Sequence, residues 1–182
     1  MRNVVLYQLV SLDGVAEEPG DWFTDGGPEL FENLGEIIGT QDAILLGRGT
    51  YDYWVDFWPT SEVEPFASFI NDTEKHVFTS SPPDKEWPNS TFVNDPATEY
   101  VAQLKEQPGG DIGIHGSIEL AQSLWAAGLI DELKLVVGAA VAGHGRRLFK
   151  EDGTLQQLDL AELQHTARGS LLVTYRRPDG AR

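Results

Sequence analysis

Four short runs of β-forming, mostly apolar residues, each stopping at a turn of small or polar residues, constrain this chain more than any other feature. Val4–Val10 stops at Ser11-Leu12-Asp13-Gly14, Ala43–Leu46 at Gly47-Arg48-Gly49-Thr50, Lys75–Phe78 at Thr79-Ser80-Ser81, and Asp111–His115 at Gly116-Ser117. Runs this short and this apolar suit strands buried on both faces of a sheet. Helical periodicity fills the gaps between them. Leu30, Phe31, Leu34, Ile37 and Ile38 share one face behind Pro28, with Gly39 as C-cap; Ala97, Tyr100, Val101 and Leu104 share another; Ile118, Ala121, Leu124 and Trp125 a third, closed by Gly128. A shorter helix is expected near Val63–Asn71, a minor strand at Thr91–Val93 and a further strand at Glu132–Gly138. Leu158–His165 and Leu171–Arg176 alternate like the arms of an antiparallel hairpin turning at Arg168-Gly169. Strand and helix alternate until that final pair. The expected fold is therefore α/β, with a mostly parallel central sheet of about eight strands, about four flanking helices and a C-terminal antiparallel hairpin.

Residues 1–177 are expected to form one domain and 178–182 a disordered tail, since 182 residues suffice for one core and no repeat or linker divides them. Against 13 Lys and Arg stand 29 Asp and Glu, a net charge of -16. Such a surface repels a phosphate backbone, and the cluster Arg146, Arg147 and Lys150 is too small to reverse that, so no nucleic-acid partner is expected. No apolar run approaches the roughly 18 residues of a membrane span, so no membrane partner is expected either. The chain has no Cys, which removes thiol chemistry and suits a reducing compartment. Met1-Arg2-Asn3 leads into the first strand without a small-residue cleavage site, and a cytoplasmic location is expected. His76, His115, His144 and His165 share no ligand spacing, so no metal is expected.

The chemistry is concentrated at the strand ends, where open α/β sheets hold their ligands. Gly47, Arg48 and Thr50 combine close backbone approach, a guanidinium suited to phosphate and a hydroxyl. The competing reading is a tight turn whose Arg48 reaches a surface carboxylate. Gly116 and Ser117 stand where a strand enters a helix, a place for a pyrophosphate or for an ordinary N-cap. Thr79 and Ser80 read equally well as loop residues before Pro82-Pro83. Asp13 is either a proton donor or the anchor of its own turn, and Trp58, with Trp54 and Phe57, lines a pocket for an aromatic ring or covers the core. No Gly-x-Gly-x-x-Gly follows the first strand, and neither a Walker loop, a Gly-x-Ser-x-Gly elbow nor a His-Glu-x-x-His helix is present.

In this order and spacing the pieces resemble the dihydrofolate-reductase-like superfamily, in particular the C-terminal reductase domain of the bacterial riboflavin-biosynthesis deaminase/reductase. The matching stretches are Ser11–Gly14, Ile44–Tyr51, Val77–Ser80, Gly110–Ile112 with His115–Ser117, Gly128–Leu133 and Gly143–Phe149. The resemblance implies a dihydrofolate-reductase-like fold, a homodimer, and an NADPH-dependent reductase of the 5-amino-6-(5-phosphoribosylamino)uracil reductase type, or one acting on a related small heterocyclic or sugar-phosphate substrate. A non-catalytic nucleotide-binding protein on the same fold is the alternative. Carried over, Gly47, Arg48, Thr50, Thr79 and Ser80 would line the adenosine and phosphate side, and Gly116, Ser117 and Ile118 the pyrophosphate. Asp13 would be the catalytic residue, with Ser11 and Trp58 on the substrate. Two departures stand out. Relatives usually carry a Pro after the strand that here ends at Val137-Gly138, and Ala139-Ala140-Val141-Ala142 is smaller than their usual loop; the acid of folate reducers has only approximate counterparts in Asp25 and Glu29.

Overall fold

The computed structural model describes residues 1–150 and 153–178; positions 179–182 of the expected tail lie outside the described residues. One sheet holds β1 (Val4–Val10), β2 (Gln41–Gly47), β3 (Glu74–Phe78), β4 (Ser90–Val93), β5 (Asp111–His115), β6 (Glu132–Val137), β7 (Asp159–His165) and β8 (Leu171–Arg176). Their order is β4-β3-β2-β5-β1-β6-β8-β7. Neighbours from β4 to β6 run parallel, while β8 lies antiparallel to both β6 and β7. The mostly parallel sheet with a C-terminal hairpin is thus present as the patterning implied.

The period of two in each strand divides the core into two layers. Val4, Leu6, Leu45, Ile112 and Ile114 point to one face, under α4 (Ala97–Glu106) and α5 (Ile118–Ala126). Val5, Tyr7, Ile44, Leu46 and Val77 point to the other, under α1 (Pro28–Ile38), α2 (Arg48–Trp54) and α3 (Phe66–Asp72). Pro28 opens α1 where a missing N–H costs nothing, and Gly39 follows its end as C-cap. Lys75, fully buried, closes α3 by donating from Nζ to the carbonyls of Ile70 at 2.8 Å and Thr73 at 2.9 Å. Burial draws its pKa down to about 8.

One local expectation is corrected. Gly47–Thr50 is not a free-standing turn: Gly47 is the N-cap of α2, and Arg48, Gly49 and Thr50 are its first residues. Tyr51 explains this. Its ring is fully buried, and its hydroxyl accepts the N–H of Trp87 at 2.9 Å and donates to the carbonyl of Lys85 at 3.0 Å. That tertiary anchor holds a helical turn that Gly49 would otherwise disfavour.

Candidate functional site

The helices that follow β2 and β5 pack on opposite faces of the sheet, although the two strands are neighbours. A crevice opens outside the carboxyl ends of such a pair, at the switch point of the topology. The four turns singled out in the sequence all fall along this edge, because β3, β2, β5 and β1 are successive strands in the sheet.

Ser117 ties the two walls together. Its buried Oγ accepts the N–H of Gly47 at 3.0 Å. Its own N–H donates to the carbonyl of His115 at 2.9 Å, and that of Ile118 to Gly116 at 3.1 Å, so the turn is internally bonded. The Ile118 side chain belongs to the core, leaving only its backbone at the crevice. The helical ladder of α5 starts at Ala121, whose N–H donates to the carbonyl of Ser117 at 2.9 Å. The N–H groups of Glu119 and Leu120, one residue further on, therefore precede the ladder.

Gly116 admits no other residue without cost. Its φ is +70°, and a Cβ there would stand 2.8 Å from Cζ2 of Trp54 and 3.6 Å from the methyl of Thr50. Thr50 and Trp54 thus press α2 directly onto the β5 turn.

Arg48 spans the ends of β2 and β3. Its Nε donates to both oxygens of Asp52 at 2.7 and 2.8 Å, while Nη1 donates to the carbonyl of Ser81 at 2.8 Å and Oγ1 of Thr79 at 3.3 Å. It reaches a surface carboxylate and also overhangs the crevice at Thr79. Ser80, between these partners, is exposed.

On the β1 side the polar residues hold protein. The Ser11 hydroxyl is buried, donates to Asp13 at 2.6 Å and accepts the N–H of Val15 at 3.0 Å. Asp13 also accepts the N–H groups of Ala142 and Gly143, each at 2.9 Å. The Ser11 hydroxyl, followed by these two backbone donors, lowers its pKa to about 2. Asp13 is therefore a carboxylate at neutral pH with no proton to give, and it fastens the 138–149 loop to the β1 turn. A bridge from Val15 to Arg147 and the bond from the Leu148 N–H to the Gly14 carbonyl, 2.9 Å, close the same seam. Arg146 extends it through Glu17 and Glu119. Trp58 is half-buried, with ring centroids 4.9 Å from Phe57 and 4.8 Å from Phe66, in a cluster packed on the α1–α3 face. Its Nε1 is buried without a partner.

Three features had little or no signal in the sequence. Gly138 gives way to Trp22 and Phe23: a Cβ there would lie 2.9 Å from Cδ2 of Phe23. Asp25 accepts the Thr166 hydroxyl at 2.5 Å and the N–H of Gly27 at 3.0 Å, fastening the stretch before α1 to the β7–β8 turn. His115, buried among Tyr7, Phe66 and Phe69, shares a 2.8 Å bond through Nε2 with Oε1 of Gln41. Burial pulls its pKa down to about 3, keeping the ring neutral. The pair fits only because residue 113 is Gly, where a Cβ would come within 2.0 Å of Gln41 Oε1. Among the described residues no three His, Asp or Glu side chains converge as a metal site would require.

The family described as the RibD C-terminal domain matches residues 2–172. The chain belongs to that family. It is 35% identical over 153 residues to the uncharacterized protein YwjB of Bacillus subtilis, covering 82% of this chain and 84% of that one. A candidate riboflavin biosynthesis protein from Shewanella sp. PV-4 superposes with a TM-score of 0.77 at 16% identity, over 96% of this chain and 98% of that one. The diaminohydroxyphosphoribosylaminopyrimidine deaminase/5-amino-6-(5-phosphoribosylamino)uracil reductase of Thermotoga maritima superposes at 0.69 with 17% identity, over 97% of this chain and 56% of that longer one. At such identities the structural likeness speaks for the fold, which is the reductase-type fold of the RibD C-terminal domains.

Proposed function

We propose that this RibD C-terminal domain protein is an oxidoreductase that binds NADPH in the β2–β5 crevice and reduces a small heterocyclic substrate, pyrimidine-like or carrying a sugar phosphate. The observation that carries the reading is the joining of the adjacent β2 and β5 strand ends by the 3.0 Å bond from the Gly47 N–H to Ser117 Oγ, which brings the backbone of both turns together, with Arg48 reaching the neighbouring strand end at Thr79. A flat, anionic dinucleotide needs both close backbone approach and a planar cation. In this reading Arg48, Thr79 and Ser80 take the adenosine-side phosphate. Gly47, Thr50, Gly116, Ser117 and Ile118 shape the wall against the pyrophosphate, with the N–H groups at the start of α5 facing it. When bound, the cofactor supplies the hydride. The protein's contribution is to hold two ligands in register and exclude water.

The proton comes from water in this reading, because Asp13 is ionised and bonded to Ala142 and Gly143. Asp13 and Ser11 instead hold the loop that frames the substrate side, with Trp58 as part of its aromatic wall. The same family membership supports a cytoplasmic homodimer acting on a small molecule.

Thermal melting with and without cofactor tests the proposal. A ligand at about 100 times its Kd stabilises the fold by about 2.7 kcal/mol, which for a chain of this size raises Tm by roughly 5–10 °C. NADPH at millimolar concentration is expected to give a rise of that order. If neither NADPH nor NADH moves Tm, the reading fails; if NADPH binds but is never oxidised across a panel of pyrimidines and carbonyl compounds, the protein binds nucleotide without catalysis.

A further inference from the structure

Arg48 and Asp52 stand one turn apart on α2, where side chains at that spacing face each other. A guanidinium offers its N–H groups on three nitrogens, and the protein takes two of them. Nε donates to both carboxylate oxygens of Asp52, at 2.7 and 2.8 Å. Nη1 donates to the Ser81 carbonyl at 2.8 Å, to Thr79 Oγ1 at 3.3 Å and to Ser81 Oγ at 3.4 Å. Among the described residues Nη2 has no partner. The Arg48 side chain is 29% exposed and that of Asp52 48%, and an ion pair open to water to this extent adds little to the stability of a fold. The carboxylate matters more for what else can approach the guanidinium.

We propose that Asp52 sets the cofactor selectivity of the site. It holds the Nε edge of Arg48, so that Nη2 is the edge left for a phosphate, and its own charge offsets the guanidinium, so that the preference for NADPH over NADH is kept small. The inference rests on the proposed function, which puts Arg48 at the phosphate distinguishing the two cofactors, and it assigns a residue which that reading leaves out. A phosphate monoester carries about -1.5 to -2 charges at pH 7. Facing it, Arg48 and Asp52 sum to zero, and Thr79, Ser80 and Ser81 beside them are uncharged. The net charge of -16 on the whole chain adds no attraction. Carboxylate and phosphate would occupy two edges of one guanidinium, a separation comparable to the roughly 8 Å screening length of physiological salt, so their repulsion is felt. NADH has no phosphate at that position and escapes it. Asn at position 52 would keep an oxygen to accept from Nε and remove only the charge.

Fluorescence titration of NADPH and NADH into wild type, D52N, D56N and R48A tests this, with thermal melting to confirm that each variant is folded. D52N is expected to tighten NADPH by about three- to ten-fold and to move NADH by less than about two-fold. D56N removes an equal charge further along the chain, where Asp56 pairs with Lys85, and is expected to change neither cofactor by more than about two-fold. The D52N gain should shrink in about 0.5 M KCl, where screening shortens the reach of the charge. Unchanged affinities in D52N make Asp52 a surface pair without a role in binding, and weaker NADPH makes it an orienting group alone; either result overturns the proposal. R48A separates this failure from that of the proposed function. If R48A loses NADPH selectively while D52N gains nothing, only the role of Asp52 falls; if R48A weakens both cofactors equally, the placement of Arg48 falls and the role of Asp52 with it.

Discussion

Replacing Gly116 by Ala puts a methyl group against Trp54 where α2 packs on the β5 turn, and the structure supplies both parts of its cost. At φ +70° an L-residue with a Cβ costs about 1–2 kcal/mol more than glycine. The new Cβ would also lie 2.8 Å from Cζ2 of Trp54. That ring cannot simply retreat, since it meets Trp58 and Phe66 with centroids 5.8 Å away in each case. Overpacking of this kind costs about 1–3 kcal/mol. Together they predict a loss of about 2–5 kcal/mol, or a Tm lowered by roughly 4–20 °C. Gly49→Ala is the control. It sits in α2 with nothing within 4 Å of its would-be Cβ and should be neutral or stabilising by up to about 1 kcal/mol. Differential scanning calorimetry of G116A, G49A, W54F and the G116A/W54F double variant separates the two costs. Shortening the indole should recover the overpacking part and leave the backbone part. A G116A variant melting within a degree of wild type, or a double variant with purely additive losses, would refute the reasoning.

Two further predictions concern ionisable groups. Asp13 is held at about 2 against its ordinary 3.8, so its contribution to stability is complete above the ordinary value and disappears as pH falls toward 2. D13N should melt with a shallower acid limb between pH 5 and 2.5 than wild type, and equal steepness would contradict the assignment. Lys75 runs the other way. Its folded value of about 8 lies below 10.5, so the unfolded chain binds more protons between these values and stability rises with pH there, by about 2 kcal/mol from pH 7.5 to 9.5. K75M should lose that rise in urea unfolding; an identical rise in both proteins would show that another group is responsible.

Much of the sheet could be read from the chain because strands buried on both faces need continuous apolar runs, and Val4–Val10 and Asp111–His115 match β1 and β5 residue for residue. The hairpin was legible for a different reason: Leu171–Arg176 alternates, and Gly169 takes the positive φ, +91°, of its turn. The helix at Arg48–Trp54 was not legible, because Gly-Arg-Gly-Thr reads locally as a breaker and the Tyr51 anchor lies more than thirty positions away, at Lys85 and Trp87. At the site, the sequence located polar side chains at strand ends but could not distinguish those facing a ligand from those bonded to protein. Ser11, Asp13 and Ser117 have partners far enough along the chain, or at such particular angles, that composition leaves no trace of them. Gln41 and His115 escaped notice because seventy-four positions separate them, and only the glycine at 113 makes room for their bond.

The central claim is that the β2–β5 crevice holds NADPH with Arg48 at the phosphate that distinguishes it from NADH. Fluorescence titration of both cofactors into wild type and Arg48→Ala measures it directly. A charge-assisted contact of this kind contributes about 1.5–3 kcal/mol. R48A is therefore expected to weaken NADPH by about ten-fold or more while changing NADH by less than about three-fold. Equal losses for the two cofactors, or no loss for either, would contradict it.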